Sequence, residues 1–466
     1  MKKTIFSIVA ALAITTANLS ATQFYVDDKG QVFITPAEGR KALNVDTTPN
    51  AATGTEIKKT SHTKITIMDP NSPTFLLGKQ TKINMKFVPS DNPDMWLKVG
   101  VRVQGTMESK QVDYKGSGKV DEDINDAYLR RVRLEIAAGF GHGISYVMDI
   151  RNDKSNYGIE NKEGQFSVGD AYLKIKKPFD TSLVNFKLYR GKIDVSRTET
   201  VKSARVIAYD RPYVADIAAQ YISFNRRGAN IQMYGDWEKK VHYQVAFGSA
   251  TSPSKIKDAI DGKSSSFVDS SDQSFFYGGK VVLSPFDGWE EKKRTETYFG
   301  RGKHFEIGAA YWSVPSMKGT VDAAGTNVAY DLNHELINLE ASMHYKGLFL
   351  QAEYFDFKDA VESWDVPANT ELNTGDSSGW YVTGEYVMPE YGYIAPFFRY
   401  EDFDKFEDAD DATVTSAMVG LNWYLMGNSI KAGLYYQKDN YGVDAANNSG
   451  FEKDVEFVRL TSQFFF

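Results

Sequence analysis

The sequence predicts an all-β protein: a transmembrane antiparallel up-and-down β-barrel of about 16 strands, preceded by a short N-terminal extension. Aromatic residues make up 14% of the 466 residues, although the chain is hydrophilic on average. Membrane barrels combine aromatic girdles outside with a polar lumen and polar loops. Beyond the N-terminal segment, no apolar run reaches the roughly 20 residues that a spanning helix needs. Polar and apolar side chains instead alternate with period two, which indicates strands with two different faces.

The alternation defines each strand in turn. Between Arg131 and Ile136, arginine and glutamate occupy one face, and valine, leucine and isoleucine occupy the other. Charged residues recur on the second face in later segments, as expected for a wet lumen. The predicted strands are 96–108, 127–138, 144–152, 168–176, 184–192, 226–235, 240–249, 274–284, 303–313, 335–345, 348–357, 379–387, 393–402, 413–424, 429–437 and 455–466.

The connections between these strands alternate in length, as the short periplasmic turns and long outer loops of a porin-type barrel do. The predicted short turns are 139–143, 236–239, 346–347, 388–392 and 425–428. The predicted long loops are 109–126, 193–225, 251–273, 314–334, 358–378 and 438–454. Residues 285–302 do not fit this alternation, because a short turn is expected between the two strands that they connect. Either an insertion lies there or the strand count is wrong by one hairpin.

The N-terminus predicts export. Lys2 and Lys3 precede the apolar run Ile5–Ile14, and a cleavage site follows at Ala21. The apolar run is too short for a membrane anchor. We therefore predict a signal peptide at 1–21, a partly disordered periplasmic extension at 22–90 and the barrel at 91–466. A small ordered cap is the alternative for the extension.

The C-terminal strand ends in aromatic residues. Phe464 and Phe466 lie on one face of the alternating segment 457–466. This arrangement resembles the signal read by the barrel-assembly machinery of bacterial outer membranes, although an ordinary closing strand has the same alternation. Together with the export signal, it predicts a location in the bacterial outer membrane.

Several short motifs, taken as an ordered set, resemble the phosphate-selective porins of the O and P type. The similarity is clearest from Trp96 to Phe247. It rests on Leu97–Gln104, Arg130–Leu134, Tyr146–Asp149, Gly169–Leu173, Gly191-Lys192, Tyr209–Pro212 and Asn225–Gly228. The resemblance implies a 16-stranded barrel, usually a homotrimer, whose long third loop folds inward and narrows the pore.

Basic residues are predicted to line this pore. They lie in the third long connection, at the start of the strand that follows it, and on the polar faces of earlier strands. The predicted pore-lining and anion-binding residues are Arg131, Arg133, Arg151, Lys174, Lys176, Arg197, Lys202, Arg205, Arg211, Arg226 and Arg227. Rings of Arg or Lys in a narrow aqueous pore favour anions.

An equally open alternative is that acids neutralise these charges. The available partners are Glu135, Asp149, Asp170, Glu199 and Asp210. Such pairing predicts a general or cation-leaning porin without phosphate selectivity. Its expected solutes are small anionic or neutral molecules in either case.

Other classes of function are less well supported. An adhesin or structural barrel is not excluded by any motif. A barrel enzyme needs a catalytic constellation, and none of the six histidines lies in a recognised motif. The chain has no cysteine, and we predict no cofactor or metal site. Its acidity, with a formal charge of −7, argues against nucleic-acid binding.

Two of the long loops are acidic. We predict that they are simply solvated, or alternatively that they bind divalent cations shared with lipopolysaccharide. Their acidic residues are Asp402, Asp404, Glu407, Asp408, Asp410 and Asp411, and Glu362, Asp365 and Glu371. The expected partners are therefore outer-membrane lipid, lipopolysaccharide and the barrel-assembly machinery.

Overall fold

The computed structural model describes most of the chain from residue 85 onward and short pieces before it. The described residues are 25–26, 32–33, 41–42, 64–65, 85–88, 92, 94–116, 118–155, 165–223, 226–250, 267–291, 294–323, 326–364, 376–405, 411–442 and 452–465. The chain divides into two compact units, Met1–Thr60 and Ser61–Phe466.

The first unit contains a small antiparallel sheet. Its strands are β1 (Tyr25–Val26), β2 (Val32–Phe33) and β3 (Lys41–Ala42), in the order β2-β1-β3. They lie within the predicted N-terminal extension. The predicted signal peptide lies outside the described residues, and the domain boundaries stay predictions.

Strands are the main secondary structure in the described part of the second unit. They are β4 (Lys64–Ile65), β5 (Met85–Phe87), β6 (Met95–Tyr114), β7 (Glu122–Gly141), β8 (Ile144–Ser155), β9 (Ser167–Lys176), β10 (Asn185–Arg190), β11 (Ala229–Trp237), β12 (Val241–Ser249), β13 (Phe267–Gln273), β14 (Phe275–Leu283), β15 (Lys303–Ala323), β16 (Thr326–Tyr345), β17 (Leu348–Trp364), β18 (Ser377–Tyr386), β19 (Ile394–Asp404), β20 (Thr413–Trp423), β21 (Leu425–Asn428), β22 (Ile430–Tyr441) and β23 (Lys453–Phe465). Two helices, α1 (Arg197–Thr200) and α2 (Tyr213–Tyr221), and a 3₁₀ turn at Pro389–Tyr391 complete the described elements.

The strands from β6 to β23 form a closed antiparallel barrel. β6 pairs with β23 over the register from Tyr114↔Lys453 to Arg102↔Phe465, which joins the first strand to the last. β13 and β14 follow one another along β15 and act as one interrupted strand, and β21 lies in a turn. The barrel therefore has 16 strands, which confirms the predicted fold class.

One extra strand lies beside the barrel seam. β5 pairs with β6 from Met85↔Val99 to Phe87↔Leu97. This stretch of β6 extends past the end of β23, so β5 satisfies backbone groups that the last strand does not reach. These residues fall within 22–90, the stretch predicted to be an extension.

The wall has an apolar outer face and a polar inner face. On β7, the outward Leu134 is 37% exposed while the inward Arg131 is 5% exposed. Outward side chains are exposed on the outer surface and would contact lipid, whereas inward ones contact the segments that enter the lumen. No helix in the described ranges is long and apolar enough to cross a membrane.

The two ends of the barrel differ. At the short-turn end, residues 142–143, 238–240 and 346–347 join neighbouring strands. The exception is the connection 284–302 between β14 and β15, two strands that pair directly with each other. The strand count is therefore right, and this connection is an insertion.

Candidate solute pathway

The connection between β10 and β11 lies inside the barrel. β10 stops at Arg190, after only six residues, so the chain leaves the wall early. We call the described residues 191–223 and 226–228 the inner loop. Carbonyl oxygens of Val206 and Ile207 accept hydrogen bonds from Lys431 Nζ at 2.6 and 3.2 Å. These contacts join the inner loop to a distant strand across the lumen.

An apolar patch on the inner wall holds α2. Val214, Ile217 and Tyr221 are buried in a cluster with Phe276, Trp312, Leu336, Phe355, Phe357, Tyr381 and Phe403. The Tyr221 ring meets Phe357 edge to face at 5.0 Å. Burying this apolar surface favours one docked position for the helix.

Beside α2, the inner loop and the wall surround a cavity of about 310 Å³. Its lining has ten basic and five acidic side chains. The basic ones are Arg130, Arg131, Arg133, Arg151, Lys192, Arg211, Arg226, Arg227, Arg399 and Arg459, and the acidic ones are Asp153, Asp210, Asp216, Glu401 and Asp439. The cavity wall is thus rich in positive charge.

Ion pairs fix much of this lining. Arg130 Nη2 lies 2.7 Å from Asp210 Oδ1, and Arg459 Nη1 lies 3.6 Å from Asp210 Oδ2. Arg133 pairs with Asp153 at 2.8 Å, and Arg227 with Asp170 at 2.6 Å. The acids tie arginines of the wall to one another and to the inner loop.

Glu199 and Asp210 of the inner loop are the electrostatic centres of two such clusters. Burial alone would raise the pKa of Glu199, but Arg226, Lys192 and Arg211 outweigh it and hold that pKa well below its usual value. Burial alone would likewise raise the pKa of Asp210, but Arg130 and Arg459 outweigh it and hold that pKa well below its usual value. Both carboxylates are therefore charged at neutral pH.

Two cavity arginines have no acidic partner among the described residues. Arg131 donates to Gln104 Oε1 at 3.0 Å and to the Tyr209 carbonyl at 2.9 Å, both neutral acceptors. Arg151 is half-buried and makes no hydrogen bond or ion pair within the described part of the chain. The charges of Arg227 and Arg133 act on it, and those of Asp153 and Asp149 act in the opposite sense. Neither guanidinium group forms an ion pair with an acid of the described residues.

The predicted basic residues divide into two groups. Arg131, Arg133, Arg151, Arg211, Arg226 and Arg227 line the cavity. The others lie elsewhere: Lys174 over the Tyr234 ring at 5.3 Å, Lys176 exposed at the short-turn end, Lys202 paired with Glu135 at 2.6 Å and Arg205 half-buried. Arg197 is fully buried and pairs with Glu291 at 2.6 Å, so it does not face open solvent.

Sequence reasoning missed four basic residues of the cavity: Arg130, Lys192, Arg399 and Arg459. Arg399 and Arg459 occupy inward positions of β19 and β23, which the alternation of those strands would have revealed. Arg130 and Lys192 lie at a bulge and at a strand end, where the two-residue period breaks.

The remaining predicted features are placed as follows. Phe464 is outward-facing and exposed near the end of β23, and Phe466 lies outside the described residues. Asp402 and Asp404 end β19, whereas residues 365, 371, 407, 408 and 410 lie outside the described ranges. Within those ranges, no group of three or more His, Asp or Glu side chains is arranged to hold a metal ion.

A closed 16-stranded barrel with an apolar outer belt and a charged inner cavity has the architecture of an outer-membrane channel. Residues 99–466 match the family model of phosphate-selective porins O and P. The chain therefore belongs to the phosphate-selective porin O and P family, as the sequence motifs predicted.

The chain is also similar to individual proteins. An uncharacterised protein of Aquifex aeolicus is 25% identical over 439 residues, covering 84% of this chain and 92% of the relative. The outer-membrane channel DcaP of Acinetobacter baumannii has 11% identity and a TM-score of 0.52, covering 82% of this chain and 99% of DcaP. Pseudomonas putida OprB has 11% identity and a TM-score of 0.50, with 79% and 94% covered. The two structures share the fold with this chain.

Proposed function

We propose that this outer-membrane channel lets small solutes diffuse through its lumen, prefers anions such as phosphate, and is constricted by the inner loop. The observation that carries the proposal is the excess of basic over acidic side chains around the cavity. Low-dielectric walls focus the field of such charges and raise the local concentration of anions.

The choice of phosphate is supported by the donor chemistry. Guanidinium groups present planar pairs of N–H donors that match phosphate oxygens. Arg131 and Arg151 make no ion pair with an acid among the described residues. Added phosphate should therefore reduce chloride current by competing for the same groups.

The sharpest test removes the charge of Arg151. Reversal potentials in asymmetric KCl should show an anion preference for the wild type. Arg151→Gln should lower this preference, because the substitution removes a cationic side chain from the pathway. Lys115→Gln is the matched control, since Lys115 is half-exposed in an outer loop and pairs with Glu452 and Asp454. A wild-type reversal potential near zero would instead indicate a general, charge-balanced pore.

We extend the proposal to export and assembly. A signal peptide is removed after Ala21, Phe464 and Phe466 contribute to recognition by the barrel-assembly machinery, and the mature protein forms a homotrimer in contact with lipopolysaccharide. The mass of the mature chain and chemical cross-linking in native membranes test the first and third of these statements. A mature N-terminus other than Thr22, or only monomers after cross-linking, would count against them.

A further inference from the structure

The insertion 284–302 enters the barrel from the short-turn end. Its first part stays at the rim, where Trp289 stacks on Tyr345 with ring centroids 5.6 Å apart. Its second part goes inside: Glu296, Thr297 and Phe299 are all buried. We call the described residues 294–302 the inner turn. A connection that merely joined two strands would need only a few exposed residues.

The inner turn binds the inner loop through its backbone and through Glu296. The Glu296 amide donates to the Arg205 carbonyl at 3.1 Å. Its carboxylate accepts from Thr198 Oγ1 at 2.9 Å and from the Ile207 amide at 2.7 Å. One side chain thus holds two separate points of the inner loop.

Buried ion pairs extend the same contact. Arg294 Nη1 lies 2.5 Å from Asp194 Oδ2. Arg197 Nη2 donates to Glu291 Oε1 at 2.6 Å and to the Thr295 carbonyl at 2.9 Å. Buried pairs of this kind tolerate little displacement, because a shifted partner leaves an unpaired charge. They favour a single relative position of the two segments.

The inner turn is also anchored to the wall. Phe299 packs among Val387, Tyr393, Ala395 and Tyr424, and meets the Tyr424 ring edge to face at 5.1 Å. Tyr298 stacks on His344 at 4.6 Å. The turn therefore fills lumen beside β15, β16 and β18–β20, below the inner loop.

We propose that the inner turn is a second constriction element: together with the inner loop, it sets the cross-section of the channel and hence the size of solute that passes. This inference rests on the proposed diffusion function but not on anion preference. Glu296 and Arg294 contribute to the size limit because they hold the inner loop in position. Solute is thereby confined to the lumen beside β7, β8, β22 and β23, whose side chains line the cavity.

The direct test replaces residues 286–301 by a Lys-Gly turn like Lys346-Gly347. Single-channel conductance in symmetric KCl should rise on the order of twofold, because conductance follows the narrowest aqueous section. Liposomes containing the variant should also admit larger neutral oligosaccharides. An unchanged conductance and size limit in a correctly folded variant would overturn the proposal.

Point variants keep the test valid if the shortened chain misfolds. Glu296→Ala should raise conductance or widen the size limit. Glu290→Ala should not, because Glu290 is only partly buried and its carboxylate bonds to backbone groups of its own insertion, at Gly288 and Glu290. Both changes remove one negative charge, so reversal potentials report charge separately from size. Equal conductance and size limits for the two variants would contradict the inference.

The same recordings distinguish the two proposals. Steps seen only after shortening would support the inner turn as a closure. Larger conductance steps with an unchanged reversal potential would support the inner turn as a constriction. Anion preference would then be decided by the Arg151→Gln test. Absence of steps in every variant would overturn both.

Discussion

At the scale of single residues, Asp210 connects the inner loop to the wall. Its carboxylate pairs with Arg130 and Arg459, and its carbonyl accepts from Arg399 Nη1 at 2.8 Å. These arginines belong to three strands that are far apart in the sequence. One carboxylate therefore both positions the inner loop and lowers the positive charge of the cavity.

The depressed pKa values of Asp210 and Glu199 predict a pH dependence of stability. A carboxyl with a lowered folded-state pKa stabilises the protein above its unfolded pKa, about 4, and loses this contribution as pH falls through the folded value. Heat stability of the folded barrel should therefore be lower for Asp210→Asn than for the wild type at pH 7. The difference in heat stability between Asp210→Asn and the wild type should become smaller as pH falls below about 4.

Electrophoretic mobility after heating, measured at a series of pH values, checks this expectation. Asp287→Asn is the control, because Asp287 lies exposed at the short-turn end. A gap between Asp210→Asn and the wild type that stays constant down to pH 3, roughly one unit below the ordinary value, would contradict it.

At the scale of elements, the inner wall has two chemically different halves. β7, β8, β22 and β23 present arginine and aspartate to the cavity, whereas β14–β18 present aromatic side chains at the level of α2. The apolar half binds the helix, so the charged half is left for water and solute. The position of the pathway follows from this division.

Replacing Phe357 should loosen α2. Phe357→Ala removes the ring that contacts Tyr221 and Phe403, and truncating a buried Phe costs about 3–5 kcal/mol. We expect faster proteolysis within the inner loop and noisier single-channel currents. Tyr354→Ala, on the outward face of the same strand, should change neither the proteolysis nor the current noise. Equal proteolysis of the two variants would contradict a role of Phe357 in holding α2.

At the scale of the whole molecule, the barrel depends on closing its first strand against its last. Along this seam, Arg459 Nε donates to Glu108 Oε2 at 2.8 Å. The two partners lie at nearly opposite ends of the barrel sequence. Their contact can form only when the sheet has closed.

Breaking this pair should weaken closure. Glu108→Ala leaves the Arg459 charge partly unpaired, and losing one member of a buried ion pair costs about 3 kcal/mol. The folded, compact form should disappear at a lower temperature on heating in detergent. Glu122→Ala, an exposed position of β7, is the control; a seam variant as heat-stable as that control would refute a role for the pair.

The sequence predicted the strands well and the site only in part. All sixteen predicted strands overlap strands of the barrel, because the two-residue period records the local contrast between lipid and lumen. Arg197 shows where this reasoning stops. Arg197 is basic and lies in the third long connection, so it was predicted to line the pore. In the structure it is buried and forms an ion pair with Glu291 of a connection that is distant in the sequence.

The sequence by itself determined that the chain is a two-faced barrel, because each strand carries its own alternating pattern, and its short motifs resembled those of this porin family. Only the tertiary structure decided which charges are neutralised and where the inner loop and inner turn lie. Coulomb interactions depend on distances between atoms, and the partners of Asp210 or Glu296 are brought together by barrel closure, not by their spacing along the chain.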